Sequence, residues 1–303
     1  MSKISAAAVL GRTGLEVTRL GYGAMEVRSG PKARQVTEDQ VETVLNAVLD
    51  AGINFIDTSN DYGRSEEFIG KYISHRRSEY YLATKCGCPS GGGEHIYTRE
   101  NLFRGLDESL QRLRTDHVDV IQLHGGSEEE IEQGNAVEVL EEMRRQGKVR
   151  WIGASISSLA KVPTLPAFLS WGVFDAFQIP YSALLRGHEA WIAESSKAGV
   201  GTIIRGGVAQ GEPGEGRGDA ESWRKFDQAK LDELRDEGES RTAFMLRLTL
   251  SHPQIDTIIV GTKDPEHLSE NADAALRGPL PADVYAEALR RLDAVGLRPT
   301  KVQ

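Results

Sequence analysis

The chain is poor in cysteine, with Cys86 and Cys88 as its only two. They stand one residue apart, too close for an easy disulfide and too few for a structural zinc site, so a disulfide scaffold and a zinc-built fold are both excluded. Basic charge is also in deficit: 36 Lys and Arg face 45 Asp and Glu, a formal net charge of −9. No global field draws in phosphate polymers or anionic membrane surfaces, and nucleic acid is not expected as a partner. The doublets Arg76-Arg77, Arg144-Arg145 and Arg290-Arg291 each sit among acidic residues, as solvated helix faces do. No apolar run approaches the roughly 18 residues that a membrane span needs. Met1-Ser2-Lys3-Ile4-Ser5 leads into a patterned segment without an apolar signal region, so a cytoplasmic location and no membrane partner are expected. His75, His95, His117, His188 and His252 show no metal-ligand spacing, and no metal is expected. Linkers of low complexity are missing too. No Gly-x-Gly-x-x-Gly turn follows a strand-like run, which disfavours a doubly wound dinucleotide sheet.

What is present is an alternation. Short apolar runs of strand length recur between segments whose apolar residues fall at helical spacing. Thr37-Glu38-Asp39-Gln40 has the form of a capping box, and Val41, Val44, Leu45, Val48 and Leu49 mark one helix face before Gly52 ends it. A helix from Thr98 carries Leu102, Leu106, Leu110 and Leu113, and further helices are expected from Glu66 to Ile73 and from Val137 to Gln146. Strands are expected near Thr18–Gly21, then at Asn54–Ile56, Tyr80–Thr84, Val118–Leu123, Val149–Gly153, Ala176–Ile179, Gly201–Ile204 and Thr257–Val260. Eight strands alternating with helices make the arithmetic of a single (β/α)8 TIM barrel domain spanning residues 1–303. Ala8-Val9-Leu10-Gly11 and Leu15-Glu16-Val17, around a polar turn, predict an N-terminal β-hairpin at the barrel bottom. The glycine-rich stretch from Gly206 to Gly218 follows the seventh strand, and is read either as a plain surface loop or as a flap over a ligand.

Active sites of such barrels are built at the carboxyl ends of the strands. The second strand ends at Asp57 with Tyr62-Gly63 beyond it, the third ends in Lys85 and the fourth in His124. A tyrosine phenol is a poor acid near neutrality, and a lysine cation beside it favours the phenolate; an aspartate would hold that lysine charged and aimed. A histidine would donate a hydrogen bond to a substrate oxygen. This set is equipment for protonating a carbonyl oxygen as it becomes an alkoxide, and the electrons would have to come from a cofactor.

The quoted segments carry a resemblance. Gly52-Ile53-Asn54-Phe55-Ile56-Asp57-Thr58 with Tyr62-Gly63 and Ser65-Glu66-Glu67, Ala83-Thr84-Lys85, Val118 to His124, Gly147 to Ser155, and Gly261-Thr262-Lys263 with His267-Leu268-Ser269-Glu270-Asn271 resemble the aldo-keto reductases over nearly the whole chain. The resemblance implies an NAD(P)-dependent, NADPH-preferring reductase of an aldehyde, ketone or sugar carbonyl, with Asp57, Tyr62, Lys85 and His124 as tetrad and Tyr62 as proton donor. It implies nicotinamide contacts from Gly23, Ala24, Met25, Asp57, Ser155 and Gln178, and phosphate and adenine contacts from the loop at Gly206 and from Gly261, Thr262, Lys263, His267, Glu270 and Asn271. Lys263 would face a 2′-phosphate. Three positions depart from the family pattern: Ile156 replaces an asparagine, His267 replaces an arginine and leaves NAD(H) as the alternative cofactor, and Arg205 stands at the end of strand seven, where stacking on the ring and pairing with a phosphate are both open. The alternative within the resemblance is a slow nucleotide-binding regulatory subunit like the potassium-channel β subunits. Cys86 and Cys88 are expected to be small buried side chains, and Trp151, Trp171, Trp191 and Trp223 to serve packing, with Trp223 the one in reach of a substrate. Substrate shape is assigned to loops at the mouth and to the short end Pro299-Thr300-Lys301-Val302-Gln303; oligomeric state has no visible signature.

Overall fold

The computed structural model describes residues 3–5, 7–29, 35–89, 92–156, 164–214 and 217–300. Met1-Ser2, residues 215–216 of the glycine-rich stretch and 301–303 of the terminus lie outside the described residues. Strands β1 (Ala8–Val9) and β2 (Glu16–Val17) form an antiparallel hairpin. Strands β3 (Leu20–Gly23), β4 (Phe55–Asp57), β5 (Tyr81–Cys86), β6 (Val118–His124), β7 (Val149–Ser155), β8 (Ala176–Pro180), β9 (Gly201–Arg205) and β10 (Thr257–Val260) close a parallel barrel in chain order, with β10 returning to β3. Helices run between them, from Glu38–Asp50 after the first barrel strand to Pro265–Arg277 after the last.

The local signals act as expected. Thr37 accepts from the Gln40 amide while the Gln40 side chain accepts from the Thr37 amide, and Val41, Val44, Leu45, Val48 and Leu49 are all buried on the barrel side. One strand start and several strand ends move from where the sequence places them. The first barrel strand begins at Leu20 rather than Thr18, because the Thr18 hydroxyl bonds the Leu20 carbonyl and its amide bonds the Asn54 side chain, occupying the groups a ladder would use. Strands β5, β7 and β9 run past their expected ends to Cys86, Ser155 and Arg205, which brings the polar residues at the mouth onto regular backbone.

The hairpin closes the bottom. Leu10, Leu15 and Val17 form one buried cluster with Phe55, Ala83, Val120, Ala176, Ile203 and Ile259, the inward side chains of six barrel strands. Gly11, at φ +46°, brings its backbone against Gly201, where a β-carbon would lie 2.2 Å from the Gly201 nitrogen. Trp223 is buried beside Phe226 and Phe244 in a second core, and its Nε1 donates to the Ala209 carbonyl of the glycine-rich stretch. Among the described residues no helix is long and apolar enough to cross a membrane.

Candidate active site

Side chains alternate along a strand, so the residue two positions beyond each member of the plugging layer points the same way, one layer nearer the mouth. Two beyond Phe55, Ala83, Val120, Ala176 and Ile203 stand Asp57, Lys85, Gln122, Gln178 and Arg205. An apolar floor thus carries a polar layer.

That layer is tightly bonded. Lys85 Nζ donates to Asp57 Oδ2 at 2.7 Å and to the Thr58 carbonyl at 2.8 Å, and both charged side chains are at most 2% exposed. The other carboxylate oxygen accepts from Gln122 Nε2 at 2.7 Å and Gln178 Nε2 at 2.8 Å. Ser155 Oγ donates to Gln178 Oε1 at 3.1 Å. Burial works against the Lys85 ammonium, but Asp57 and Tyr62 outweigh it and hold its pKa above the ordinary value. The ammonium sits 4.7 Å from the centre of the half-buried Tyr62 ring. The His124 ring meets Tyr62 edge-on, with centroids 6.1 Å apart. Burial, with help from Lys85, His95 and Arg205, pushes the His124 pKa down to about 3, so its imidazole is neutral near pH 7. Asp57, Tyr62, Lys85 and His124 are therefore brought together, as their placement at strand ends predicts.

The flanking residues explain how Tyr62 and His124 are held. Ser65 Oγ bonds the Ala24 carbonyl and the Thr58 hydroxyl, tying the helix Ser65–Tyr72 to the turn after β3. Buried Glu66 is satisfied by Thr84 Oγ1 at 2.6 Å and by Arg112 at 2.8 Å. Gly87, at φ +103°, turns the chain after β5 where a β-carbon would strike Tyr97, and this turn delivers Cys88 to His124. Cys88 Sγ lies 3.0 Å from His124 Nδ1, and Tyr97 Oη donates to the His124 carbonyl at 2.9 Å. Both cysteines are buried, as expected, and burial pushes the Cys88 thiol up to about 12. Gln122, Cys88, His95 and Tyr97 are site residues that sequence reasoning missed. Gln122 was readable by counting two back from His124 on the same face, whereas the others reach the site through a loop whose closure has no local signature.

The residues expected to hold a nucleotide lie along one side of the mouth. Gly23 pairs with Asp57 across the sheet and leads into the turn Ala24–Val27, which includes Met25. Ile156 is buried in the core, and its carbonyl accepts from Arg205 Nη2 at 3.0 Å. Gly206, at φ +75°, has nothing within 4 Å of where a β-carbon would stand. Gly261 packs on the next strand, where a β-carbon would lie 2.6 Å from the Gly23 carbonyl oxygen. Thr262 is buried, Lys263 Nζ donates to the Gln35 carbonyl at 2.5 Å, and His267, Glu270 and Asn271 occupy positions i, i+3 and i+4 of the helix Pro265–Arg277. Arg217 of the glycine-rich stretch pairs with Glu26 in the turn after β3 at 3.2 Å.

A parallel barrel with a buried lysine–aspartate pair beneath a tyrosine and a neutral histidine is the equipment of a carbonyl-reducing oxidoreductase. The aldo/keto reductase family model matches residues 19–290, and the chain belongs to that family. It is 29% identical over 296 residues to L-galactose dehydrogenase of Arabidopsis thaliana, covering 90% of this chain and 89% of that one. It is 26% identical over 315 residues to D-threo-aldose 1-dehydrogenase of a Pseudomonas species, covering 90% and 94%. Among solved structures it superposes on the holo form of aldo-keto reductase AKR11C1 from Bacillus halodurans with a TM-score of 0.82, 26% identity and coverage of 95% and 96%. The protein is thus an enzyme that uses a nicotinamide nucleotide on a small carbonyl or alcohol substrate.

Proposed function

We propose that the enzyme reduces an aldehyde, ketone or sugar carbonyl, with NADPH preferred over NADH and Tyr62 as the proton donor. The observation that carries this reading is the buried Lys85 ammonium, fixed to Asp57 and lying 4.7 Å from the Tyr62 ring centre. The bound nucleotide would supply the hydride. The protein's own part is the proton. As the substrate oxygen gains negative charge, Tyr62 gives up its hydrogen, and the fixed Lys85 cation stabilises the phenolate left behind. Asp57 keeps Lys85 charged and aimed. Because Cys88 keeps its proton, its thiol donates to His124 Nδ1, which leaves the imidazole hydrogen on Nε2 as a neutral donor to the substrate oxygen.

The cofactor would lie along the side of the mouth that runs from β3 to β10 and β9. The residues there fit it: Ser155 and Gln178 for the carboxamide, with Gly23, Ala24 and Met25 beside the nicotinamide, and Gly206, Gly261 and Thr262 along the phosphates. Glu270 and Asn271 would meet the adenine. The Arg205 guanidinium bonds the Ile156 carbonyl and feels the charges of Tyr62 and Asp57, which supports a place at the nicotinamide end rather than at the phosphates. Lys263 would leave the neutral Gln35 carbonyl for a 2′-phosphate, with His267 as a weaker partner. The Glu26–Arg217 pair spans from β3 to the glycine-rich stretch, which supports the flap reading of that stretch. The printed names of the two dehydrogenase relatives support an aldose among the substrate classes, and the free, buried cysteines support a cytoplasmic enzyme.

Titration with NADPH and with NADH, followed by quenching of tryptophan fluorescence, tests the cofactor half. The expected result is tighter NADPH. Equal affinities would remove Lys263 from the 2′-phosphate, and binding of neither would end the reductase reading.

A further inference from the structure

One side-chain cluster at the mouth exceeds what carbonyl reduction asks for. Cys88 Sγ, a ring nitrogen of His95 and a ring nitrogen of His124 all lie within 4.8 Å of one another. Cys88 and His124 Nδ1 are already 3.0 Å apart, and the two imidazoles stack with centroids 4.9 Å apart at 26°. The three residues come from different places: the turn beyond Gly87, the loop returning to Ile96, and the end of β6. Backbone and phenol contacts hold those places independently of the three side chains. Ile96 N donates to the Gly87 carbonyl at 2.7 Å, and Tyr97 Oη donates to the His124 carbonyl at 2.9 Å. Tyr97 Oη also lies 3.4 Å from His95 Nδ1, which leaves Nε2 as the free nitrogen of that ring.

We propose that Cys88, His95 and His124 form a binding site for a borderline-soft divalent ion of the zinc type, with three protein ligands and a fourth position for solvent. The donor set selects the metal: one thiolate and two imidazoles suit zinc, while the lack of a carboxylate among them turns away magnesium and calcium. The size also fits. Tetrahedral zinc with bonds of about 2.3 Å to sulfur and about 2.0–2.1 Å to nitrogen places its ligand atoms about 3.4–3.6 Å apart. The Cys88–His124 pair must open by roughly half an ångström, and no other pair closes by more than about 1.4 Å, within the reach of side-chain torsions. On binding, the thiol proton passes to water as the metal–sulfur bond forms, and no electron moves.

The binding claim stands on the cluster's geometry, and its consequence for turnover rests on the reading of His124 given above. An ion at Nδ1 takes away the Cys88 donor, adds a dication beside Lys85 and puts a bound water against the face of the site. Turnover is expected to fall.

Cobalt(II) is the probe, added to the reduced, metal-stripped enzyme. The expected spectrum has a thiolate-to-metal charge-transfer band and intense visible bands of a four-coordinate ion, saturating at one equivalent. Cys88→Ser should abolish the charge-transfer band, and His95→Ala should weaken binding by at least the roughly 10–100-fold that loss of an outer-shell partner costs. A spectrum showing only weak six-coordinate bands, or one that both variants reproduce unchanged, overturns the site. A second arm follows turnover with one equivalent of zinc and its reversal by chelator, expecting a loss of roughly tenfold or more in the wild type and little sensitivity in either variant. A cobalt site with undiminished turnover keeps the metal and removes His124 from the reaction. Absence of the cobalt site, with Tyr62→Phe still inactive, overturns the metal and leaves the reductase reading standing.

Discussion

The two ends of the proposed nucleotide groove are built differently. At the catalytic end, Asp57, Lys85, Gln122 and Gln178 bond one another inside the barrel, and the Asp57 carboxylate has a donor on each oxygen. At the adenine end, His267 and Glu270 are exposed on a helix, and Lys263 spends its charge on a neutral backbone carbonyl. In the first arrangement both Asp57 oxygens are satisfied by the protein itself, and of the four side chains' polar atoms the buried Gln122 Oε1 is left without a partner. On the proposed reading, the second is completed by the anion that it binds. If the proposed roles hold, the chemistry rests on the scaffold and the choice of nucleotide on the surface, so substitutions at the two ends should fail in different ways.

The largest effect belongs to the catalytic end. Tyr62→Phe removes the proposed donor while keeping the ring over Lys85, and should cut kcat by roughly two to four powers of ten with nucleotide affinity nearly intact. Fluorescence titration beside steady-state rates checks both halves; normal turnover would sink the assignment. Asp57→Ala leaves a buried ammonium without its counter-ion, and breaking such a pair costs about 3–5 kcal/mol. Chemical denaturation should show that loss, and a variant as stable as the parent would mean that Lys85 gives up its proton instead.

How much of this was legible in the sequence depends on how local each signal is. Helix ends followed from Thr37, Gln40 and Gly52, and strands from short apolar runs, because capping and pleating act over a few residues. Thr18 misled, since its hydroxyl competes for strand hydrogen bonds and delays β3 by two positions. The tetrad positions followed from strand ends together with the family motifs. Gln122 was within reach of the period of two, but the strand Val118–Leu123 was read by its extent and not by the face each side chain takes. Cys88 and His95 were beyond reach, because spacing along the chain says nothing about a loop that folds back on its own strand.

At the adenine end, Lys263→Ala should weaken NADPH by about tenfold, the scale of one hydrogen bond to a charged group, and leave NADH nearly unchanged. Parallel titrations with both nucleotides read this directly. Equal losses for the two would mean that the exposed end does not discriminate, and the contrast between a self-bonded catalytic layer and a ligand-completed surface would have to be redrawn around Arg205.

The smallest effect is an absence of change at the catalytic end. With its pKa near 3, His124 stays neutral from pH 5 to pH 8, so kcat of the metal-free enzyme should show no ionisation near the ordinary value of 6.5. Stability should move instead. In the unfolded chain His124 takes up its proton as pH falls through 6.5, while the native ring refuses it until about 3, so native stability is full above 6.5 and declines over that window. Burial lowers His188 and His252 as well, and they add to the same slope. A limb near 6.5 in kcat itself would place a protonated imidazole in the reaction and overturn the neutral-donor role of His124.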